Sequence, residues 1–187
     1  MKNKWCVSVA FLFFLVGICI NACTQECNSS NNDRWSEEKI QKWYDDQDWL
    51  IGCNYIPATA INQIEMWSAD TFNPKQIDKE LSWAHDLGFN TLRVFLSSVV
   101  WKNDAKGMKK RMDEFLNICK KYSIRPMFVF FDDCWNAEST YGKQPEPKPG
   151  VHNSGWVQDP SCSLRKDTLT LYPFLQEYVK DIIRTYA

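Results

Sequence analysis

The stretch Ile124–Asn136, I-R-P-M-F-V-F-F-D-D-C-W-N, constrains the fold more than any other part of the chain. Met127 to Phe131 is an unbroken apolar run with Pro126 before it. A strand wetted on one face alternates apolar and polar residues. A run without alternation is expected to be buried on both faces, as strands of parallel sheets are. The run stops at two aspartates, a Trp and an Asn. In α/β proteins the C-terminal ends of parallel strands collect the groups that bind and react, so acids and an aromatic there mark a candidate site.

The rest of the chain supplies neighbours for such a strand. A helix is expected over 35–47, with Ser36 as N-cap, acids in its first turn, and Ile40, Trp43 and Tyr44 on one face to pack against the main body. A first strand follows at 49–55. The next helix runs from Asn73 as cap and Pro74 at its first position to a closing Gly88, with Ile77, Leu81 and Ala84 at helical spacing. Thr91–Phe95 reads as the second strand. After a loop through Trp101 and Asp104 comes a helix with Met108, Met112, Phe115, Cys119 and Tyr122 on one side. Beyond the opening run, a polar loop from Asp132 to Lys166 leads to a last helix from Asp167, with Tyr172, Leu175, Val179, Ile182 and Tyr186 inward.

This alternation predicts an α/β fold with parallel strands. Helix-to-strand connections read as two or three residues, strand-to-helix connections as about 18, 11 and 35. Long loops gathered at one end are the layout of a (β/α)8 barrel. A doubly wound sheet also fits the alternation, but no Gly-rich phosphate loop follows the first strand. The expectation is a partial (β/α)8 TIM barrel, its first three βα units preceded by an N-terminal helix over residues 35–187.

Residues 1–22 stand apart from that fold. Lys2 and Lys4 precede a mostly apolar run, Val7 to Ile20, too short to span a bilayer. Ile20-Asn21-Ala22-Cys23 resembles a bacterial lipoprotein signal, with Cys23 as the lipidated residue and membrane attachment through it. A plain secretory signal cut near Ala22 is the alternative. Residues 23–34 read as a flexible tether. The expected location is the outer membrane or cell surface of a Gram-negative bacterium, with a periplasmic or secreted protein as the other possibility.

With 22 basic and 23 acidic residues, the chain carries no basic stripe for nucleic acid. Nine tryptophans are a high count, and indole rings suit flat, apolar-faced ligands such as sugars. Cys27, Cys53, Cys119, Cys134 and Cys162 form no CxxC pair, so neither a disulfide framework nor a zinc site is expected, although Cys134 and Cys162 share a loop. No metal or cofactor is expected. Arg93, inside an otherwise apolar strand, needs a carboxylate or a ligand oxyanion if buried, or else sits at a strand end and bonds carbonyls. Asp132 and Asp133 are adjacent, so on an extended strand they point to opposite sides and cannot flank one bond. One is expected at the site, the other in a structural role. His152 is expected to donate to substrate or to its own loop. His85 is expected on an exposed helix face.

Five segments together resemble a known group. G-C-N-Y-I-P (52–57), I-N-Q-I-E-M-W (61–67), G-F-N-T-L-R-V-F (88–95), F-D-D-C-W-N (131–136) and K-P-G-V-H-N-S-G-W (148–156) are similar to the N-terminal half of retaining glycosidases. These are the cellulase-like and xylanase-like (β/α)8 enzymes near glycoside hydrolase family 5, many of them lipoproteins of Bacteroides-type bacteria. The resemblance implies hydrolysis of a β-linked glycan. It implies that Arg93 binds the nucleophile carboxylate, that Asp132, Asp133, Asn136 and His152 support the site, and that Trp67, Trp101, Trp135 and Trp156 shape sugar subsites. It also places the acid/base Glu after an Asn on the fourth strand and the nucleophile Glu on the seventh, both beyond Ala187. A full barrel takes about 250 residues, so the expectation is a truncated and inactive hydrolase. The alternative is a lipid-anchored glycan-binding module without catalysis.

Overall fold

The structure, a computed structural model, describes residues 34–134 and 136–187. The expected signal, Cys23, most of the tether, and Trp135 lie outside the described residues. The chain divides into two units, Met1–Asp48 and Trp49–Ala187.

In the first unit, α1 (Glu37–Asp45) is capped by Ser36, whose hydroxyl accepts from the Lys39 amide at 3.3 Å. Glu37 and Glu38 fill the first turn, and a Lys42–Asp46 ion pair at 2.8 Å closes the last. Within this unit Ile40, Trp43 and Tyr44 are exposed.

The second unit runs β1 (Gly52–Asn54), α2 (Gln63–Trp67), α3 (Pro74–Asp86), β2 (Thr91–Phe95), α4 (Ser98–Lys121), β3 (Arg125–Val129), α5 (Cys162–Arg165) and α6 (Thr168–Tyr186). The three strands are parallel, in the order β1-β2-β3. Arg93 lies opposite Asn54 on one side and Met127 on the other. The α/β class and the parallel sheet follow the sequence expectation.

The helices form where their caps are. Asn73 accepts from the Gln76 amide, Pro74 follows, and Gly88 takes a left-handed φ of 84° that a side chain would disfavour. Asp167 caps α6 in the same way. α4 begins earlier than expected, so only Leu96 and Ser97 separate it from β2, and Trp101 is helical. Its regular backbone breaks at Asp104 (φ −151°, ψ 61°), whose carboxylate accepts from the Gly107 amide and from Arg111 and so caps the continuing helix. The long second connection expected from sequence is therefore mostly helix.

Side chains alternate along β2. Leu92 and Val94 are fully buried with Ile77, Leu81, Met108, Met112 and Phe115, the sequence-expected faces of α3 and α4. The expectation that β3 is buried on both faces is corrected. Met127 is 54% exposed, and the strand is shielded mainly on the helix side, because no described element covers its other face. In α6 the buried stripe is Leu171, Tyr178 and Ile182. Tyr172, expected to point inward, is exposed. Cys119 is buried, and burial pushes its thiol up to about 12, as suits an inert core residue. Cys134 and Cys162 both keep their thiols, so no disulfide links them across the loop. No helix among the described residues is long and apolar enough to cross a membrane.

Candidate functional site

A narrow cleft with a free volume of about 30 Å³ lies at the C-terminal ends of the strands, lined by Asn54, Tyr55, Gln63, Phe95, Asp132 and Trp156 among others. Each wall has a local cause. Asn54 ends β1 and Phe95 ends β2. Trp67 donates its indole N–H to the Phe95 carbonyl at 2.7 Å and pins that strand end from behind.

Gln63 arrives on α2, a helix within a stretch whose sequence reads as loop. Asn62 starts this helix by accepting from the Ile64 and Glu65 amides, and Glu65 reaches back to the Ile61 amide at 3.0 Å. An Asn followed three residues later by a Glu is close to the capping-box pattern, and it is the one local signal of this helix. Gln144 is buried and zips α2 to the long loop. Its amide donates to Glu65 Oε1, and its side-chain oxygen accepts from Asn62 at 2.9 Å. Asn62 also donates to the Gly155 carbonyl, and Gln63 to that of Val157, both at 2.9 Å.

Trp156 faces Phe95 at 6.3 Å between ring centres, and Asn136 fixes its segment by donating to the Ser154 and Trp156 carbonyls. Asp132 is held by a two-bond backbone bridge with Asp159, at 2.8 and 2.9 Å. Its Oδ2 is shut off from solvent and has no hydrogen-bond partner among the described residues. Asp159 is buried under this bridge. It accepts from the Ser98 amide at 2.6 Å, at the start of α4, and from the Ser98 hydroxyl. Burial pushes its carboxyl up to about 6; the Ser98 donors pull the other way and the Asp132 carboxylate adds to the rise. The hydroxyl of Tyr178 is likewise buried without a described partner, and burial raises it well above the usual tyrosine range.

The sequence candidates are sorted by this geometry. Asp132 lines the cleft, while Asp133 is exposed and pairs with Arg165 at 3.2 Å. Arg93 is exposed rather than buried, because nothing among the described residues covers that face of the sheet. It donates to Asn54 at 3.2 Å, and its guanidinium lies 4.4 Å above the Phe95 ring. No carboxylate among the described residues pairs with it.

Trp67 is 0% exposed, wedged against Phe72, Phe115 and Phe128, and offers no face to a ligand. Trp101 is half-buried against Phe174 and Tyr178, with its N–H on Asp181. Of Trp67, Trp101 and Trp156, the last is the one the cleft displays. His152 is exposed and takes part in no hydrogen bond among the described residues.

The cleft sets aromatic faces beside two carboxamides and one carboxylate, groups that donate and accept hydrogen bonds around a space of water size. Asp132 is the one acid among its described lining residues, so these hold no acid/base pair. Glu65 is committed to the Ile61 and Gln144 amides and Glu138 to Ser163. Among the described residues no group of three His, Cys, Asp or Glu side chains forms a metal site. No protein-family model, no curated protein and no solved structure matches the chain.

Proposed function

We propose that the chain forms the first three strand–helix units of a (β/α)8 retaining glycoside hydrolase acting on a β-linked glycan, and that alone it binds sugar without hydrolysing it. One observation carries this. The open face of the sheet holds Arg93 beside Asn54 at the lip of an aromatic and amide-lined cleft, with no carboxylate partner among the described residues. A guanidinium so placed is suited to a carboxylate delivered by a further strand. A retaining enzyme needs two carboxyl groups about 5–5.5 Å apart, and here Glu65 and Glu138 are committed to hydrogen bonds with neighbouring backbone and Ser163. On the same proposal, lipid on Cys23 anchors the chain at the cell surface, and labelling with radioactive palmitate tests it.

Affinity electrophoresis through gels containing β-glucan or xylan tests the binding, with aryl β-glycoside hydrolysis followed in parallel. Retardation without release of the aryl group is expected. Turnover would overturn the inactivity, and failure of every polysaccharide to retard the protein would overturn the glycan assignment. A second reading, a glycan-holding module that never acquires a catalytic pair, is favoured by the same lone acid in the cleft. Reading the coding DNA past codon 187 in three frames separates the two. A strand-like run ending in Asn-Glu supports the hydrolase, and its absence from all frames leaves the module.

A further inference from the structure

A second hollow lies away from the strand-end cleft, between the first turns of α4, the loop stretch 139–141, α5 and the start of α6. It is a shallow hollow of about 590 Å³, broadly open to solvent. Every wall comes from elements of the second unit, so its shape does not depend on how the open face of the sheet is covered.

Part of its polar lining is consumed by the fold. The Ser98 hydroxyl bonds Asp159, Ser161 caps α5, Ser163 bonds Glu138, and Asp167 caps α6 through Thr170. The rest is unspent. Among the described residues, the side chains of Thr140 and Tyr141 make no hydrogen bond on one wall, and Lys102 has no anionic partner on the other. Beside them, Ser139 Oγ is shut off from solvent without a described partner. Phe174 supplies an apolar surface, with Lys102 Nζ 5.7 Å from its ring centre.

Charge and chemistry narrow the ligand. Lys102 and Asp167 are the charged residues lining the hollow and they cancel, so a polyanion gains one cation and meets one carboxylate. A wholly apolar ligand would leave the hydroxyls unpaired. Ser, Thr and Tyr hydroxyls both donate and accept, as does a carboxamide, and a ligand with many groups of the same kind matches them. We infer that this groove binds a neutral saccharide chain at a position separate from the strand-end cleft. It shares with the proposed function the class of ligand and nothing else, since no chemistry is asked of it.

The test is a titration of the 15N-labelled protein with cellohexaose, xylohexaose and laminarihexaose, followed by amide shifts. Saturable shifts are expected at residues 99–103 and 139–141 with at least one of the three. The double variant K102A/N103A alters two exposed residues on one helix turn, Asn103 bonding only the Val99 carbonyl of its own helix. It should weaken the groove shifts by about tenfold, the loss of a charge-assisted contact, and leave those at Asn54, Asp132 and Trp156 in place. Groove shifts that persist unchanged in the double variant, or no saturable groove shift with any of the three, would overturn the inference. Groove shifts without cleft shifts would count against the proposed function alone, and cleft shifts without groove shifts against this inference alone.

Discussion

The two faces of the sheet are made by the same strands and meet opposite fates. Leu92 and Val94 point into a core of helix side chains and are fully buried; Arg93, one residue away from each, stands in solvent. On β3 the contrast is softer, with Phe128 packed against Trp67 and Phe115 while Met127 lies open. The covered face carries the stability and the open face carries the candidate chemistry. The difference shows that an apolar strand reports what a chain is suited to bury, not what is there to bury it.

The largest effect should come from the covered face. Phe115 is fully buried and touches the rings of Tyr55, Trp67 and Phe128. Phe115→Ala is expected to cost about 3–5 kcal/mol, the loss of a core aromatic and the cavity left behind. Met127→Ser, on the open face, should stay within about 0.5 kcal/mol. Urea unfolding at an unchanged slope measures both. A large loss at Met127 would mean that the open face is covered in solution.

Asp159 joins the two regions, because its carboxyl sits at the start of α4 and its backbone holds Asp132 at the cleft. Its folded value of about 6 lies above the ordinary 3.8. The folded state therefore holds the proton more tightly than the unfolded chain. That contribution is fully present below about pH 4 and is lost as pH rises through about 6. Each tenfold gain in proton affinity is worth about 1.4 kcal/mol, so the loss is about 3 kcal/mol. Against Asp159→Asn, which cannot titrate, the wild type should lose roughly that much relative stability between pH 4 and pH 7, read from paired denaturation curves. Parallel curves across that range would show that Asp159 is ionised throughout.

Next in size is the loop wall. Gln144 is the buried hub between α2 and the long loop, and Gln144→Ala removes the carboxamide that accepts from Asn62 and donates to the Thr140 and Gly142 carbonyls, while the backbone amide still serves Glu65. A loss of about 1–3 kcal/mol is expected, with faster amide exchange confined to α2 and residues 140–157. Exchange that quickened equally across β2 would show that the wall and the sheet open together.

The sequence disclosed those parts of the fold that rest on near neighbours. Asn73, Pro74 and Gly88 bracket α3 by local backbone chemistry, and the spacing of Met108, Met112, Phe115 and Cys119 displays the buried side of α4. α2 is hidden because five residues are too few for a helical period, and its capping residues sit in a loop-like polar stretch. The amide zip from Gln144 to Asn62 and from Gln63 to Val157 joins residues 82 and 94 positions apart, which no local pattern reveals. The candidate site is half legible. Asp132 and Trp156 announce themselves as an acid and an aromatic after an apolar strand, whereas Asn54 and Gln63 acquire their place only from tertiary packing. Trp67 misleads because burial, not residue type, decides whether an indole is a platform or a wedge.

The smallest effect is the most discriminating. Arg93 gains a bond to Asn54 and a place over the Phe95 ring, and an exposed cation–ring contact is worth about 0.5–1 kcal/mol. Arg93→Met keeps the length of the side chain and removes the charge, so on an open face its cost should stay below about 1 kcal/mol. If a carboxylate covered and paired Arg93 in solution, the same change would leave that anion buried and alone, at about 3–5 kcal/mol. One unfolding curve for Arg93→Met therefore reports whether the chemistry-bearing face is bare. A small loss of stability, together with lost retardation in glycan gels, would put Arg93 to work on the ligand and not on the fold.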